Sequence, residues 1–349
     1  MKYSIRKAKS KIKFKRQKKA YKKKKLKSHK QLKKIILIMI FSIILFFIQI
    51  TKKPASNETS KLELNIKKYI NPSKTSKTKV AMCTIAKKEN RYIKYFVEFY
   101  MKLGYDHIYF YDNNEIGDEA IDDLPIVKEG IKEGFISIIS YRNKTGNFVT
   151  QSYYDCYEEF YLQYDWISFF DIDEYLILEP KNISIQEFLD NPRFNNCELI
   201  QFNWRVFTDN DQLDYEDKPL MERFPIETNY KYENRHVKST IRGSLDYKKL
   251  RRNGSPHSVY SNIKACSPSG KVNGWGYYSW PPDFEYAALH HYVTKSIREF
   301  FYKKFKTKVD VDKIGEWFKR YLFDYFFKVN RKAKEKVDIF NEIYHTNYQ

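Results

Sequence analysis

The apolar residues of the central part of the chain follow two different periodicities. Four short apolar runs have the length and composition of strands, at residues 80–85, 107–111, 135–141 and 165–178. Between them lie two segments with apolar residues at helical spacing, 91–103 and 149–162, and a loop with a short helix, 120–132. Gly104 is expected to end the first helix. This alternation predicts an α/β fold with a mostly parallel sheet that is covered by helices on both faces.

The fourth predicted strand contains three carboxylates within four residues, Asp171, Asp173 and Glu174. On an extended chain Asp171 and Asp173 point the same way, Ile172 points into the core, and Glu174 points away. Two carboxylates on one side of a strand end suit Mg²⁺ or Mn²⁺. The alternative interpretation is a solvated turn after a strand, because an isolated Asp-x-Asp often occurs by chance.

Polar residues follow three of the predicted strands, at 87–90, 112–114 and 171–174. Ligands of open α/β sheets bind at the carboxyl ends of the strands. We therefore expect these three strand ends to converge on a site that binds a metal and phosphates.

The second half of the chain has a less regular pattern. Residues 199–207 read as a strand, 209–219 as an acidic loop, and 297–343 as basic, amphipathic helix. The segment 271–282 is rich in Gly and Trp, and its aromatic rings could either pack against sugar rings or fill a core.

The charge of the chain is concentrated at its N-terminus. Residues 1–34 contain 18 Lys or Arg and no acidic residue, which leaves +3 of the net charge of +21 for the other 315 residues. The basic tail could bind nucleic acid, but the nearly neutral body and the apolar segment that follows argue against a nucleic-acid partner.

The apolar segment after this tail has no charge over 16 residues, 35–50, and lysines flank it. We predict a transmembrane signal anchor at residues 35–51, with the basic tail 1–34 in the cytoplasm. The polar stretch 52–79 then forms a stem or linker. The compartment would be the Golgi or endoplasmic reticulum lumen in a eukaryote, or the inner membrane in a bacterium.

The four cysteines, Cys83, Cys156, Cys197 and Cys266, show no Cys-x-x-Cys spacing, which argues against a zinc or redox site. So few cysteines are not expected to form a disulfide framework. One bridge would be compatible with a lumenal domain, and the sequence does not assign it.

A series of motifs from about residue 80 to residue 305 resembles glycosyltransferase family 92, which has a GT-A fold and is related to family 2 glycosyltransferases. The series comprises 84–90, Tyr92-Ile93-x-x-Phe96-x-Glu98-Phe99-Tyr100, Gly104-x-x-His107, Tyr111-Asp112-Asn113, Gln151, Trp166, Asp171-Ile172-Asp173-Glu174-Tyr175, Glu222-Arg223-Phe224, Val237-Lys238-Ser239, His257, and His291-Tyr292-x-x-Lys295-Ser296-x-x-Glu299-Phe300. The resemblance implies a GT-A domain at 80–305, followed by a helical extension at 306–349.

The resemblance also implies the chemistry, which is transfer of a hexosyl group from a nucleotide-sugar, most simply a UDP-sugar, to a glycan or another hydroxyl acceptor. Asp171 and Asp173 would bind Mn²⁺ or Mg²⁺. The third metal ligand would be His257, with His291 as the alternative, and His257 could instead be an ordinary turn histidine. A catalytically inactive, membrane-anchored glycan-binding protein is the alternative function.

Five further residues would bind the donor: Lys87, Glu89, Asp112, Asn113 and Lys238. Among them, Lys238 would contact the diphosphate, and Asp112 the base or ribose. Glu89 would either pair with Lys87 or contact the nucleoside. Relatives usually have Lys-Asn-Glu in the first turn, so the sequence leaves open whether Glu89 or Asn90 takes the polar role.

Members of the family invert the anomeric carbon, which requires a general base for the acceptor hydroxyl. Asp209 and Asp211 are the first candidates, and the other candidates are Asp214, Asp283 and Glu285. A solvated acidic loop explains Asp209, Asp211 and Asp214 equally well.

Overall fold

The computed structural model describes residues 77–142, 144, 148–255, 258–260, 263–274, 276–305 and 314–349. All of them belong to one unit of the chain, Leu62–Gln349. Within these ranges no helix has both the length and the apolar character needed to cross a bilayer. The predicted tail, the anchor at 35–51 and nearly all of the stem lie outside the described residues.

The first half of the chain alternates strands and helices, as predicted. Its elements are β1 (Val80–Ala86), α1 (Asn90–Leu103), β2 (His107–Asp112), α2 (Pro125–Lys132), β3 (Ile136–Ser140), α3 (Phe148–Phe160) and β4 (Trp166–Phe169). β1 lies between β2 and β4 and is parallel to both, and β3 is parallel to β2. Gly104 ends α1 in the left-handed conformation, with φ 102°, which favours glycine.

The second half adds strands of both directions. Its elements are β5 (Glu174–Leu178), α4 (Ile185–Leu189), β6 (Leu199–Val206), α5 (Leu220–Arg223), β7 (Val237–Arg242), β8 (Leu250–Ser255), β9 (Ser258–Tyr260), β10 (Ala265–Cys266), β11 (Val272–Asn273), β12 (Ala287–His291), α6 (Ile297–Lys304), α7 (Glu316–Val329) and α8 (Lys334–Tyr344). β7 is antiparallel to both β4 and β6. The α/β prediction is confirmed, but the sheet is mixed.

Ten of the described strands form one large sheet in the order β11-β10-β6-β7-β4-β1-β2-β3, in which β12 joins β6 to β5, and β8 and β9 form a separate two-stranded sheet. Alternate residues of β1 pack into two different cores, one with α1 and α2 and the other with α3. Helices therefore cover both faces of the sheet. A third core joins α6, α7 and α8 through Phe301, Phe326 and Phe340.

The stretch 165–178 is two strands rather than one. β4 ends at Phe169 and β5 begins at Glu174, and the Glu174 N–H donates to the Asp171 carbonyl at 3.0 Å. The chain turns here because β4 pairs with β1 and β7, whereas β5 leaves that part of the sheet and pairs with β12. The carboxylates thus lie on a turn and at the start of β5, where alternation along an extended strand does not apply.

All four cysteines form disulfides, Cys83–Cys156 and Cys197–Cys266. The structure has two bridges, whereas the sequence allowed for one and assigned none. The first bridge joins β1 to α3, and the second joins Cys197, two residues before β6, to β10. Cysteines separated by 73 and 69 residues in the sequence become neighbours only through the sheet pairing.

Replacing Cys83 and Cys156 together by alanine is expected to lower the free energy of unfolding by about 2–5 kcal/mol, because the unfolded chain loses a long-range constraint. Urea unfolding monitored by tryptophan fluorescence measures the change. Alkylation of the unreduced wild-type chain, followed by mass spectrometry, is the control and should modify none of the four cysteines. Alkylation of any of them would contradict the two bridges.

Candidate active site

The polar ends of β1, β2 and β4 meet at one edge of the sheet. Ala86 and Asp112, the last residues of β1 and β2, are in register. The Lys88 N–H donates to Asn114 Oδ1 at 2.8 Å, and Asn114 Nδ2 donates to Asn90 Oδ1 at 3.0 Å. Glu89, which follows β1, and Asp173, which follows β4, both contact the ammonium group of Lys303. Together, Glu89, Asp171, Asp173, Glu174, Lys238, Lys295 and Lys303 form what we call the carboxylate–lysine cluster.

Asp171 is the most accessible carboxylate of this cluster, with 32% of its side chain exposed. Its Oδ2 lies 2.9 Å from Lys238 Nζ, and its Oδ1 accepts a hydrogen bond from the Tyr153 hydroxyl at 2.7 Å. Burial opposes ionisation of Asp171, but the charge of Lys238 holds the pKa of its carboxyl below the ordinary value. Asp171 is therefore an ionised group that faces solvent on one side and the protein on the other.

Asp173 is almost completely buried between two lysines. Its Oδ2 accepts from Lys295 Nζ at 2.6 Å and from Lys303 Nζ at 2.9 Å. Burial opposes its ionisation, but the two ammonium groups hold the pKa of Asp173 well below the ordinary value. Its Oδ1 has no hydrogen-bond partner among the described residues, and His291 Nε2 lies 3.6 Å away from it. This oxygen is therefore a buried acceptor that no described donor satisfies.

Glu89 in the first turn is buried and lies close to two lysines. Its buried Oε1 lies 2.8 Å from Lys303 Nζ and 3.8 Å from Lys295 Nζ. Burial raises the pKa of Glu89. The predicted pairing of Glu89 with Lys87 is wrong, because Lys87 Nζ instead lies 3.5 Å from Glu115 Oε1.

Glu174 does not point away from Asp171, in contrast to the prediction. Its Oε2 accepts the Asp171 N–H at 2.8 Å and lies 3.4 Å from Lys238 Nζ. The turn at 171–174 brings the two carboxylates to one side. Burial raises the pKa of Glu174 to about 8. Glu174 is completely buried, so it supports Asp171 and does not face solvent.

The donor candidates on β2 differ in their accessibility. Asp112 is buried, and its Oδ2 accepts from Arg142 Nε at 2.8 Å while its Oδ1 accepts from the backbone and side chain of Asn114. Asn113 is half-buried, and its N–H donates to the Ala86 carbonyl. A pocket of about 270 Å³ beside these residues is lined in part by Lys88 and Asn114.

The helix that carries the lysines is held by a buried ion pair. Arg223 donates to both carboxylate oxygens of Glu299, at 2.8 and 2.6 Å, and the Tyr92 hydroxyl donates to the same carboxylate at 2.6 Å. Glu299 also completes a capping box with Ser296 at the start of α6. Because Lys295 precedes this cap and Lys303 follows on α6, the pair fixes the lysines that bind Asp173.

Asp209 and Asp211 lie in a different cluster of charges. Lys336 Nζ lies 2.8 Å from Asp209 Oδ2 and 2.9 Å from Asp211 Oδ1, and Arg331 Nη2 lies 2.8 Å from Asp211 Oδ2. These pairs join the acidic loop to α8 and the turn before it. Their geometry gives the two aspartates a role in docking the C-terminal helices.

The other general-base candidates are also engaged. Asp214 pairs with Arg298 at 3.0 Å, and Asp283 Oδ2 accepts from Ser267 Oγ and Ser269 Oγ. Glu285 is exposed and lies 3.9 Å from Lys271 Nζ. None of these contacts involves a residue of the carboxylate–lysine cluster.

The predicted metal ligands are only partly described. His257 lies outside the described residues, and in the described part no three His, Cys, Asp or Glu side chains are grouped as a metal site. Sequence reasoning assigned no role to Lys303, Tyr153 or Arg142, which contact the predicted carboxylates directly. Lys303 could have been found, since it lies in the last turn of the short helix that the Lys295-Ser296-x-x-Glu299 motif starts.

Comparisons with known proteins identify the family of this chain. The sequence profile of Glycosyltransferase family 92 matches residues 77–324, more than half of the chain. No curated protein matches the sequence. The solved apo structure of the bifunctional glycosyltransferase WbbM is 17% identical, with a TM-score of 0.24 and coverage of 38% of this chain and 24% of that one. TarS from S. aureus is 11% identical, with a TM-score of 0.32 and coverage of 76% and 49%.

The chain spans about a quarter of the length of WbbM and about half of that of TarS. Similarities at these TM-scores are too weak to support an inference. The family assignment therefore comes from the profile match, which includes every residue of the carboxylate–lysine cluster. The chain belongs to glycosyltransferase family 92.

Proposed function

We propose that this glycosyltransferase has a GT-A-type catalytic domain and uses Mn²⁺ or Mg²⁺ to transfer a hexosyl group from a UDP-sugar to a glycan hydroxyl. The proposed transfer inverts the anomeric carbon. The observation that carries the proposal is the carboxylate–lysine cluster at the carboxyl ends of β1 and β4. It places ionised carboxylates and ammonium groups at the edge of the sheet where ligands of α/β folds bind.

Asp171 and Asp173 fit a divalent cation. Mg²⁺ is usually held by one or two carboxylates together with substrate phosphates, so a complete cage of protein ligands is not needed. Asp171 is a third exposed, and Asp173 Oδ1 has no hydrogen-bond partner among the described residues. These two carboxylates would hold the ion, with His257 or His291 as the further ligand. The ion would neutralise negative charge on the diphosphate as it leaves.

Lys238 and Lys303 supply positive charge from the chain itself. Lys238 is buried against Asp171, whereas Lys303 is a third exposed and could turn one face to the donor. Fixed ammonium groups stabilise a leaving diphosphate without reorganising during the reaction. Lys295 is buried and keeps Asp173 ionised, so its role is to position that carboxylate.

The pocket at the ends of β1 and β2 is the proposed site of the nucleoside. Lys88 and Asn114 line this pocket, and Lys87 and Asn113 are their neighbours in the chain. Lys87 is about half exposed and Asn113 is half-buried, so both are accessible to a donor at the rim of the pocket. Asp112 and Glu89 are buried in ion pairs with Arg142 and Lys303. They would act by holding the loops of the donor site in place.

The chain would be anchored by residues 35–51, with its N-terminus in the cytoplasm. The catalytic domain would face the Golgi or endoplasmic reticulum lumen of a eukaryote, or be attached to the inner membrane of a bacterium. Two disulfides support an oxidising compartment for the catalytic domain, because such bridges are rare in the cytosol.

Ligand-dependent thermal stability tests donor and metal together. The purified full-length chain is expected to show a higher midpoint temperature with UDP or a UDP-sugar and MnCl₂, and a smaller shift when EDTA replaces MnCl₂. Ligand at a hundred times its Kd adds about 2.7 kcal/mol of stability. GDP and CMP serve as controls for the base. An equal shift in EDTA would contradict metal dependence, and a larger shift with GDP would contradict a uridine donor.

A further inference from the structure

A continuous series of contacts leads from Asp173 to a second acidic residue, Glu233. His291 Nε2 lies 3.6 Å from Asp173 Oδ1, and the His291 ring lies 4.1 Å from the ring of Trp204. Trp204 stacks on His236 at 4.7 Å between ring centroids. Glu233 is the last member of this series, and its Oε2 lies 3.4 Å from His236 Nδ1.

The backbone supports the same series of contacts, because the Trp204 N–H donates to the His236 carbonyl at 2.9 Å. Glu233 is therefore joined to the carboxylate–lysine cluster through the rings of His236, Trp204 and His291.

Glu233 differs from the other general-base candidates in its partners. Asp209, Asp211 and Asp214 each pair with a lysine or an arginine. In the part of the chain that the structure describes, the basic side chain within 4 Å of the Glu233 carboxylate is that of His236. Glu233 therefore has no ammonium or guanidinium group within 4 Å among the described residues. With 14% of its side chain exposed, Glu233 can also be reached by a substrate.

Aromatic residues beside Glu233 form a surface suited to a sugar ring. Tyr232 is 50% exposed and Tyr278 is 48% exposed. The guanidinium of Arg235 lies 3.5 Å from the centroid of the first ring and 4.0 Å from that of the second. Tyr278 also contacts His236 edge-on at 4.8 Å. Such rings with polar groups at their edges pack against the apolar face of a sugar and leave its hydroxyls free for hydrogen bonds.

We propose that Glu233 is the general base that deprotonates the acceptor hydroxyl, and that His236 positions its carboxylate. This inference rests on the proposed function. Glu233 Oε2 takes the proton as the acceptor oxygen bonds to the anomeric carbon, and the bond from that carbon to the diphosphate breaks with its electron pair on the leaving UDP. The His236 ring, whose Nδ1 also lies 2.9 Å from the Glu233 carbonyl, holds the turn that carries the carboxylate.

The test measures UDP release from UDP-glucose and UDP-galactose by the full-length chain, with water or p-nitrophenyl glycosides as acceptor. Glu233→Gln is expected to lower kcat by at least about a hundredfold, since general bases contribute about 10²–10⁴-fold. The KM of the donor and the thermal shift with UDP and MnCl₂ should be unchanged. His236→Gln, which can still donate to Glu233, should retain more activity than His236→Ala.

Glu227→Gln is the matched control. Glu227 lies six residues earlier in the chain and pairs with Lys231 at 2.7 Å, so this variant should keep wild-type kcat. An active Glu233→Gln variant overturns the inference, and so does one that loses the UDP-dependent shift, because that would place Glu233 at the donor. If Glu233→Gln does not fold, Glu233→Asp takes its place in the test. The inference then requires Glu233→Asp to be folded and to have a lowered kcat. A wild-type chain that releases no UDP from any UDP-sugar would instead refute the proposed function.

Discussion

Replacing Asp171 by asparagine is expected to lower the kcat of sugar transfer by at least about a hundredfold while the chain remains folded. Asparagine has nearly the same shape and can still accept the hydrogen bond from Tyr153. It removes the accessible negative charge of the cluster, however, and with it one of the two carboxylates proposed as metal ligands. UDP release at saturating UDP-sugar and MnCl₂ measures the effect, and circular dichroism checks the fold.

Asp338→Asn is the control for loss of one negative charge. Asp338 lies on α8, is 58% exposed and pairs with Lys334, so its replacement should leave kcat within twofold of wild type. Isothermal titration with MnCl₂ and UDP gives a second measurement for Asp171→Asn, which should bind the pair more weakly. Wild-type turnover by Asp171→Asn would contradict the role of Asp171.

Replacing Arg223 by methionine is expected to cost about 3–5 kcal/mol of stability, because it leaves the buried charge of Glu299 without its partner. Both side chains are almost fully inaccessible. Burial opposes ionisation of Glu299, but Arg223, Ser296 and Tyr92 hold its pKa below the ordinary value. Urea unfolding measures the loss. Activity should fall too, because α6 carries Lys303 to Asp173.

Arg320→Met is the matched control on α7, since Arg320 pairs with Asp324 at 3.1 Å and both side chains are about half exposed. Its cost should be below about 1 kcal/mol. The double variant Arg223→Met with Glu299→Leu removes both charges and should recover part of the lost stability. A double variant less stable than Arg223→Met alone would show that Glu299 stabilises α6 chiefly through Ser296 and Tyr92.

The charge balance of the cluster gives a physical reason to expect a metal. Burial raises the pKa values of Glu174 and Glu89, whereas for Asp171 and Asp173 the effect of burial is outweighed by ammonium groups that lower theirs. The cluster therefore holds two ionised aspartates beside the ammonium groups of Lys238, Lys295 and Lys303. A diphosphate brings additional negative charge close to these aspartates, and a divalent cation that arrives with it would offset that charge.

Local pattern was sufficient for the first half of the fold. The period of the apolar residues located β1 to β3 and α1 to α3 to within a few residues, because each of these elements buries one continuous face or run. The second half could not be predicted in the same way. β12 pairs with β5 and β6, which are distant in the sequence, and no local signal specifies such partners.

The sequence by itself determined the alternation of strands and helices, the positions of Asp171 and Asp173 after an apolar run, and the resemblance to a glycosyltransferase family. These features depend on residues that are near one another in the chain. The tertiary structure decided which ammonium group meets which carboxylate, the turn that brings Glu174 to Asp171, and the two disulfides. Contacts across more than 60 residues exist only after the sheet has formed, since pairing of distant strands sets them.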